Sequence, residues 1–362
     1  MSTKTRRSIP QKRNIQQLAG AEPVSASVQT NDMASAPPAP EEALQLIQRI
    51  QDKRGAPLLT FVTVPEVTVR SDVVEQVYEQ LRLIGHVPQI DLFLHSAGGQ
   101  TEVPWRLITL IRDFADRFAV LIPGIAYSAA THLAMGADQI IMGPRSELSP
   151  VDPARAHPLL PGRAEGEPPL TVSVQDLRRC VEFVKNEIGV GSPDALAQVI
   201  VALFEKVHPL AIGAIQQSYD LARLISRKAL ATHMDPQTDH DQIERIVNAL
   251  SDEFFSHGYW IGWQEAQQIG LKVVRADDDL WELMWALYRH YRSYFTLLRV
   301  TGVEREAARP IAWIDSALQR RILEEVYVLP ETQRAEQAPA TKLKTRWLES
   351  PWRLDESVAE EE

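Results

Sequence analysis

The stretch from His95 to Pro153 constrains the possible folds of this chain more than any other. It contains two strand–turn–helix units in succession, and both turns are made of small or hydroxylated residues. Two such units in tandem predict neighbouring parallel strands whose carboxyl ends lie at one edge of a sheet. Because sites in open α/β sheets lie at that edge, the two turns are the first place to look for chemistry.

The first unit begins with Gln89–His95, a short apolar segment that predicts a parallel strand buried on both faces. The strand stops at Ser96, and the pair Gly98 and Gly99 follows. Glycines adopt backbone angles that side chains forbid, and they leave N–H groups open to a ligand. A helix is predicted over Val103–Phe114, so these N–H groups lie where a developing anion is stabilised.

The second unit repeats this plan with a strand at Ala119–Ile125 and a helix of small residues at Ser128–Ala137. Ser128 at the first turn of a helix can be an ordinary N-cap. The tandem arrangement instead favours a nucleophile, because the serine oxygen would then lie beside the glycine pair. The N–H of Ala129 and an N–H of the glycine pair would form an oxyanion hole.

Four segments share a pattern with a known group of enzymes: HSAGG at 95–99, YSAATHLAMGADQIIMGPRSELSPVDP at 127–153, KVHPLAIG at 206–213 and HGYWIGWQEAQQIGL at 257–271. They resemble the Clp-fold serine peptidases, and most closely the serine dehydrogenase proteinase (SDH) family. The resemblance extends from Pro57 to Leu271. It implies an α/β fold of the Clp/crotonase-like type, with a parallel sheet and flanking helices. The sequence pattern from Val174 onward predicts a largely helical C-terminal part after it.

The resemblance also implies a set of catalytic residues. Clp protease has a histidine where this chain has Val151, so that triad is not present as such. The SDH family is described as having a reordered Ser, Asp, His triad. On that pattern Ser128 is the nucleophile, Asp152 orients the base, and His208 of the matching KVHPLAIG segment is the favoured base. The alternative histidines are His157 and His257, whereas His132 is expected to point into the core.

A lysine base is a second possibility, as in signal peptide peptidase A, because a desolvated lysine can act as a neutral base. Lys206 is the better candidate, and Lys185 is the other. Asp152 also has a simpler interpretation, since an Asp between two prolines can stabilise a turn through its own backbone.

The bulk properties exclude several other classes of protein. The chain has 362 residues and a formal net charge of −10, which disfavours a nucleic-acid partner. Its single cysteine, Cys180, excludes an internal disulfide and is expected to be buried. No span, secretory signal, Walker motif or metal-ligand spacing is recognised. We therefore expect a cytoplasmic enzyme without cofactor or metal, whose unfoldase, if it has one, is a separate protein.

Patterning divides the chain into four parts. We expect a disordered tail at 1–40, a Clp/crotonase-like peptidase domain at 41–275, a helical extension at 276–332 and a flexible tail at 333–362. Within the extension, Leu280–Leu298 is aromatic-rich and predicts a helix at a core or subunit interface.

These features favour a serine peptidase that hydrolyses peptide or protein substrates and assembles as a homo-oligomer. One alternative is a crotonase-like acyl-CoA enzyme, which uses a similar oxyanion hole and usually has glutamates near the turns. Glu102 and Glu147 are the only glutamates near these turns. Another alternative is a non-catalytic oligomeric scaffold, because fold alone does not determine function.

Overall fold

The computed structural model describes residues 39–161, 170–254, 256, 258–300, 306–328, 341–350 and 352. The predicted tail at 1–40 therefore lies almost wholly outside the described residues. The described strands are β1 Leu58–Thr63, β2 Val87–His95, β3 Ala115–Ile122, β4 Ile125–Ala126, β5 Gln139–Met142, β6 Glu147–Leu148, β7 Arg155–Ala156, β8 Thr171–Val172, β9 Val273–Arg275, β10 Arg299–Val300, β11 Glu306–Asp315, β12 Arg320–Val328 and β13 Thr341–Ser350.

The described α-helices are α1 Pro40–Arg54, α2 Asp72–Ile84, α3 Val103–Phe114, α4 Ala129–Met135, α5 Val174–Glu182, α6 Pro193–Lys206, α7 Pro209–Leu230, α8 His240–Asn248, α9 Trp263–Ile269 and α10 Asp278–Arg292. Two π-helical turns, Phe183–Glu187 and Ala249–Glu253, extend α5 and α8. Among the described residues, no single helix has the length and apolar character that crossing a membrane requires.

One large sheet organises the molecule, with the strand order β13-β12-β11-β1-β2-β3-β5-β9. The pairs β1–β2, β2–β3, β3–β5 and β5–β9 are parallel, whereas β11 to β13 are antiparallel to their neighbours. Val62 lies beside His95 in the β1–β2 register, so the glycine turn of the first unit follows at the carboxyl edge of the sheet.

Helices cover both faces of the sheet. All six residues of β1 are buried, and they alternate between the two cores: Leu59 packs into one and Leu58 into the other. The first core contains α2, α3, α4 and parts of α7 and α8, and the second is formed against α1 and α10. A sheet buried on both faces explains why these strands are continuous apolar runs. The α/β fold class with a parallel sheet and flanking helices is confirmed, as is the helical character of much of the chain after β8.

The structure corrects the expectation for the C-terminal extension and tail. Among the described residues of the extension, only Asp278–Arg292 forms a long helix, and β11 and β12 occupy much of the remainder. Within the predicted flexible tail, β13 pairs with β12 along its length. The sequence does not show the alternation typical of strands here, because Pro310 lies at a register shift and because some charged residues are buried in ion pairs. Glu324, for example, is 1% exposed and pairs with Arg299 and Arg346.

Two smaller expectations also change. The predicted strand at Ala119–Ile125 is broken by Pro123 and Gly124, so that β3 ends at Ile122 and the short β4 pairs with β6 instead. Cys180 is exposed on α5, and the prediction that it is buried is wrong. On α5, Val174 and Leu177 pack into a small third core with Leu160 and Ile215, and Cys180 is not part of that core.

Candidate active site

Ser128 lies at the junction of β4 and α4 in an unusual backbone conformation. Its φ is 52° and its ψ is −113°, and it is the only non-glycine residue with positive φ in the described part of the chain. Such conformations cost free energy and persist where the surroundings enforce them, often at functional sites. The Ser128 N–H donates to Ser149 Oγ at 2.8 Å. Its own side chain makes no capping hydrogen bond, so the simple N-cap role is not realised.

The glycine turn of the first unit packs directly against Ser128. Gly98 has a φ of 95°, and an added Cβ would lie 2.5 Å from the Tyr127 carbonyl oxygen and 3.0 Å from Ser128 Cβ. Any side chain at this position would therefore displace the serine turn. The two turns are also joined by backbone, since Ser96 N–H donates to Ile125 O and Tyr127 N–H donates to Ser96 O, both at 3.0 Å.

The N–H groups at this junction differ in their partners. The Gly98 N–H donates to Ser96 Oγ at 3.1 Å. The bridge between Val69 and Gly99 uses the Gly98 carbonyl and the Gln100 N–H, and leaves the Gly99 N–H outside the pairing. The N–H of Ala129, the first residue of α4, has no acceptor within its own helix. A Cβ added to Gly98 would lie 3.0 Å from Ala129 N, so these donors converge on one small region.

Asp152 lies on the segment that contacts the serine turn. Ser149 on this segment accepts the Ser128 N–H. The Val151 N–H donates to Leu250 O at 2.9 Å, which holds the segment against the π-helical turn Ala249–Glu253. Asp152 is buried, and it lines a cavity of about 230 Å³ whose other lining residues include Ser173, Asp176, Arg179 and Ser256.

The favoured base is not brought to Ser128 in this structure. His208 is exposed at the start of α7, where its Nδ1 accepts the Leu210 N–H at 3.1 Å. One contact between α7 and α4 is made by Ala222, whose carbonyl lies 3.1 Å from His132 Nε2. His208 precedes Ala222 by about 20 Å of helix. Lys206 is also exposed, so it lacks the desolvation that a neutral lysine base requires.

The other candidate bases occupy varied environments. His157 is partly exposed, and its Nδ1 accepts the Leu159 N–H at 3.1 Å. Lys185 is exposed, and His257 lies outside the described residues. His132 is buried as expected, and burial lowers the pKa of its imidazole to about 4.

Residues 43–159, which contain both turns and Asp152, match the family model of the ClpP-like SDH-type serine proteinases. The predicted resemblance is confirmed. The SDH-type segment thus runs from α1 past β7 and includes the strained serine and the glycine turn.

Proteins of Methanocaldococcus jannaschii and solved structures of proteases are among those similar to this chain. The uncharacterized protein MJ0137 of Methanocaldococcus jannaschii is 28% identical over 261 residues, 69% of this chain and 78% of that protein. The uncharacterized protein MJ1495 of the same organism is 28% identical over 99 residues, 27% of this chain, and the match spans only 32% of MJ1495. An alanine variant of the 1510-N membrane-bound stomatin-specific protease matches with 11% identity and a TM-score of 0.34, over 64% of this chain and 82% of that chain.

The supporting roles of several residues around the serine turn were not predicted from the sequence. Ser149 and Ser96 each accept a backbone N–H from one of the two turns. Tyr127 donates its hydroxyl hydrogen to the Glu147 carboxylate, and burial together with this bond raises the pKa of Tyr127. The available signal was the placement of hydroxyl residues just after short strands, but such residues also occur in ordinary turns.

Proposed function

We propose that this chain is a serine peptidase in which Ser128 Oγ attacks the carbonyl carbon of a peptide bond. The observation that carries the proposal is the strained conformation of Ser128 against Gly98, with a side-chain oxygen that does not cap its helix. A nucleophilic serine on a sharp strand-to-helix turn exposes its oxygen in this way in other hydrolases. The match to the SDH-type serine proteinases supports the same reaction class.

The reaction requires stabilisation of the oxyanion that forms on the attacked carbonyl. We assign this role to the N–H groups of Ala129 and of the turn at Gly98 and Gly99. Gly98 N–H would exchange Ser96 Oγ for the oxyanion, while the other two donors are free of backbone pairing in the turn. Removing one such donor from a serine protease typically costs about 10²–10³ in rate.

The proton of Ser128 has to pass to a base, and we propose His208 with Asp152 as its orienting carboxylate. Lys206 is the alternative base. His208 is exposed on the segment between α6 and α7, so this assignment needs either a movement of that segment or the corresponding segment of a second subunit. A homo-oligomer is part of the proposal for this reason. The protonated base then returns its proton to the leaving amine as the C–N bond breaks, and the acyl-enzyme left on Ser128 is hydrolysed by water activated by the same base.

The test is hydrolysis of unstructured peptides by the purified chain and by Ser128→Ala. We expect Ser128→Ala to lose activity by about 10⁴-fold or more, because only binding and the oxyanion hole remain. Thr109→Ala is a matched control, since Thr109 on α3 hydrogen-bonds only to carbonyls of its own helix among its described contacts. Equal activity of Ser128→Ala and the wild type would reject the proposal.

A further inference from the structure

His95 occupies the last position of β2, immediately before the glycine turn, and is almost completely buried. Its imidazole packs between two rings, with centroids 4.6 Å from that of Tyr288 on α10 and 6.0 Å from that of Phe295. Its Nδ1 accepts the Ile125 N–H at 3.1 Å. This bond connects the end of β2 to the first residue of β4, which leads directly into Ser128.

The imidazole carries a cost that an apolar ring would avoid. Among the described residues, His95 Nε2 is buried and has no hydrogen-bond partner. A phenylalanine would fill the same space between two aromatic rings without a buried polar atom that lacks a partner. Because unsatisfied buried polar groups are unfavourable, the benefit of histidine here has to come from the other nitrogen. That nitrogen has one described role, which is to accept the Ile125 N–H.

The surroundings fix the form of the imidazole. Burial, with a smaller contribution from the charge of Arg292, lowers the pKa of His95 to about 3, so the ring is neutral at neutral pH. A neutral imidazole that accepts at Nδ1 carries its hydrogen on Nε2. The Gly124 backbone also lies against the ring, since a Cβ there would be 2.8 Å from His95 Nδ1. The ring therefore has little room to turn.

The consequence concerns the strained serine turn. β4 contains only Ile125 and Ala126, and it pairs with the two-residue β6. Such a short strand has few hydrogen bonds of its own with which to resist the strain stored at Ser128. The Ile125 N–H would be left without an acceptor if His95 were apolar. We infer that His95 is a positioning residue, whose Nδ1 holds β4 and thereby fixes the Ser128 turn against Gly98.

This inference rests on the proposed function only in its catalytic consequence, so the experiment uses one readout of structure and one of reactivity. His95→Asn and His95→Gln are a matched pair of amide variants. The Asn side chain can present an oxygen at the same number of bonds from Cα as Nδ1, whereas the Gln side chain is one bond longer. Thermal unfolding shows whether both variants fold.

The structural readout is hydrogen exchange of the Ile125 amide, and the chemical readout is the rate constant for labelling of Ser128 by a fluorophosphonate. We expect His95→Gln to exchange this amide about tenfold faster and to label about tenfold more slowly, because a buried donor loses its acceptor. His95→Asn should stay within about threefold of the wild type in both, because the acceptor is retained.

Equal effects of the two variants, or no effect of His95→Gln, would overturn the inference. If neither variant folds, NMR of the imidazole nitrogens in the wild-type chain still decides, because a hydrogen on His95 Nδ1 is incompatible with the proposed bond. A wild-type protein that is not labelled contradicts the proposed function alone, since the exchange measurement does not depend on the reactivity of Ser128.

Discussion

Two regions of the molecule contribute to the proposed reaction, and they differ in how firmly packing holds them. All seven residues of α4, which follows Ser128, are buried. None of the residues of α6, which precedes His208, is buried. The proposed nucleophile and the proposed oxyanion donors are thus held by close contacts in the main core. The proposed base lies on a segment with few buried contacts, and such segments rearrange at low free-energy cost.

In the proposed enzyme, the pre-organised part is therefore the region around Ser128. A strained serine can be maintained only if the surrounding structure over-determines it, which requires a rigid core. A base on a loosely packed segment can be supplied by movement or by assembly.

The first prediction concerns the loosely packed region. His208→Ala should lower peptide hydrolysis by about 10³-fold, because general-base catalysis typically contributes 10²–10⁴. The measurement is kcat/KM on an unstructured peptide, with Lys206→Ala in parallel. A large loss in Lys206→Ala with little change in His208→Ala would transfer the role to the lysine. If neither variant loses activity, neither residue is the base.

The second prediction concerns the rigid region. Gly98→Ala should lower the free energy of unfolding by about 2–3 kcal/mol, because it combines a positive φ with an overpacked Cβ. Labelling of Ser128 should also be lost. Gly213→Ala is the control, since Gly213 is exposed on α7 and an added Cβ meets nothing within 4 Å. It should raise the stability by about 0.5–1 kcal/mol, and denaturant unfolding measures both changes.

The third prediction is a loss of stability in acid that originates in the rigid region. His132 is fully buried, and burial lowers its pKa in the folded state to about 4. In the unfolded chain the histidine has a pKa of about 6.5. The stability that depends on a neutral His132 is therefore fully present above pH 6.5, and this part of the free energy of unfolding is lost as the pH falls toward 4. The slope is at most about 1.4 kcal/mol per pH unit for one histidine.

Unfolding by denaturant at a series of pH values checks the third prediction. His132→Gln should flatten the dependence between pH 6.5 and 4, since the glutamine amide can still donate to Ala222 O but does not titrate in this range. An unchanged pH dependence in this variant would show that His132 is not the source.

The smallest expected effect is that of Ser149→Ala. It removes the acceptor of the Ser128 N–H, and the loss of one such hydrogen bond costs about 1 kcal/mol. Fluorophosphonate labelling should slow by about tenfold or less while the fold is retained. Ser192→Ala is the comparison, because Ser192 also accepts a backbone N–H, from Ala195, but it lies on the exposed α6. It should leave the labelling rate unchanged.

The rigid region could be predicted from the sequence to a large extent. The strand before Ser96, the helix Val103–Phe114 and the contact of Gly98 with Ser128 follow from apolar periodicity and paired turns, which are local signals. The strain at Ser128 and its bond to Ser149 could not be predicted, because they depend on how β4 and β6 pair.

The C-terminal strands escaped prediction for a different physical reason. In β11 and β12, Asp315, Arg320 and Glu324 lie almost fully buried, since each has an oppositely charged partner in the fold. Periodicity assigns charged residues to the surface, so these strands did not show the expected alternation. The partners of Glu324, Arg299 and Arg346, lie on other strands, and Arg320 meets Asp315 only across the turn between β11 and β12, so periodicity within one strand does not identify these pairs.

The most direct test of Ser128 as the nucleophile is covalent labelling of the assembled protein with a fluorophosphonate, followed by measurement of the intact mass and by peptide mapping. We expect one adduct per chain, located on Ser128 and absent from Ser128→Ala, with Ser149→Ala still labelled. An adduct on another serine, or an unlabelled protein that is folded and assembled, would contradict the assignment of Ser128 as the nucleophile.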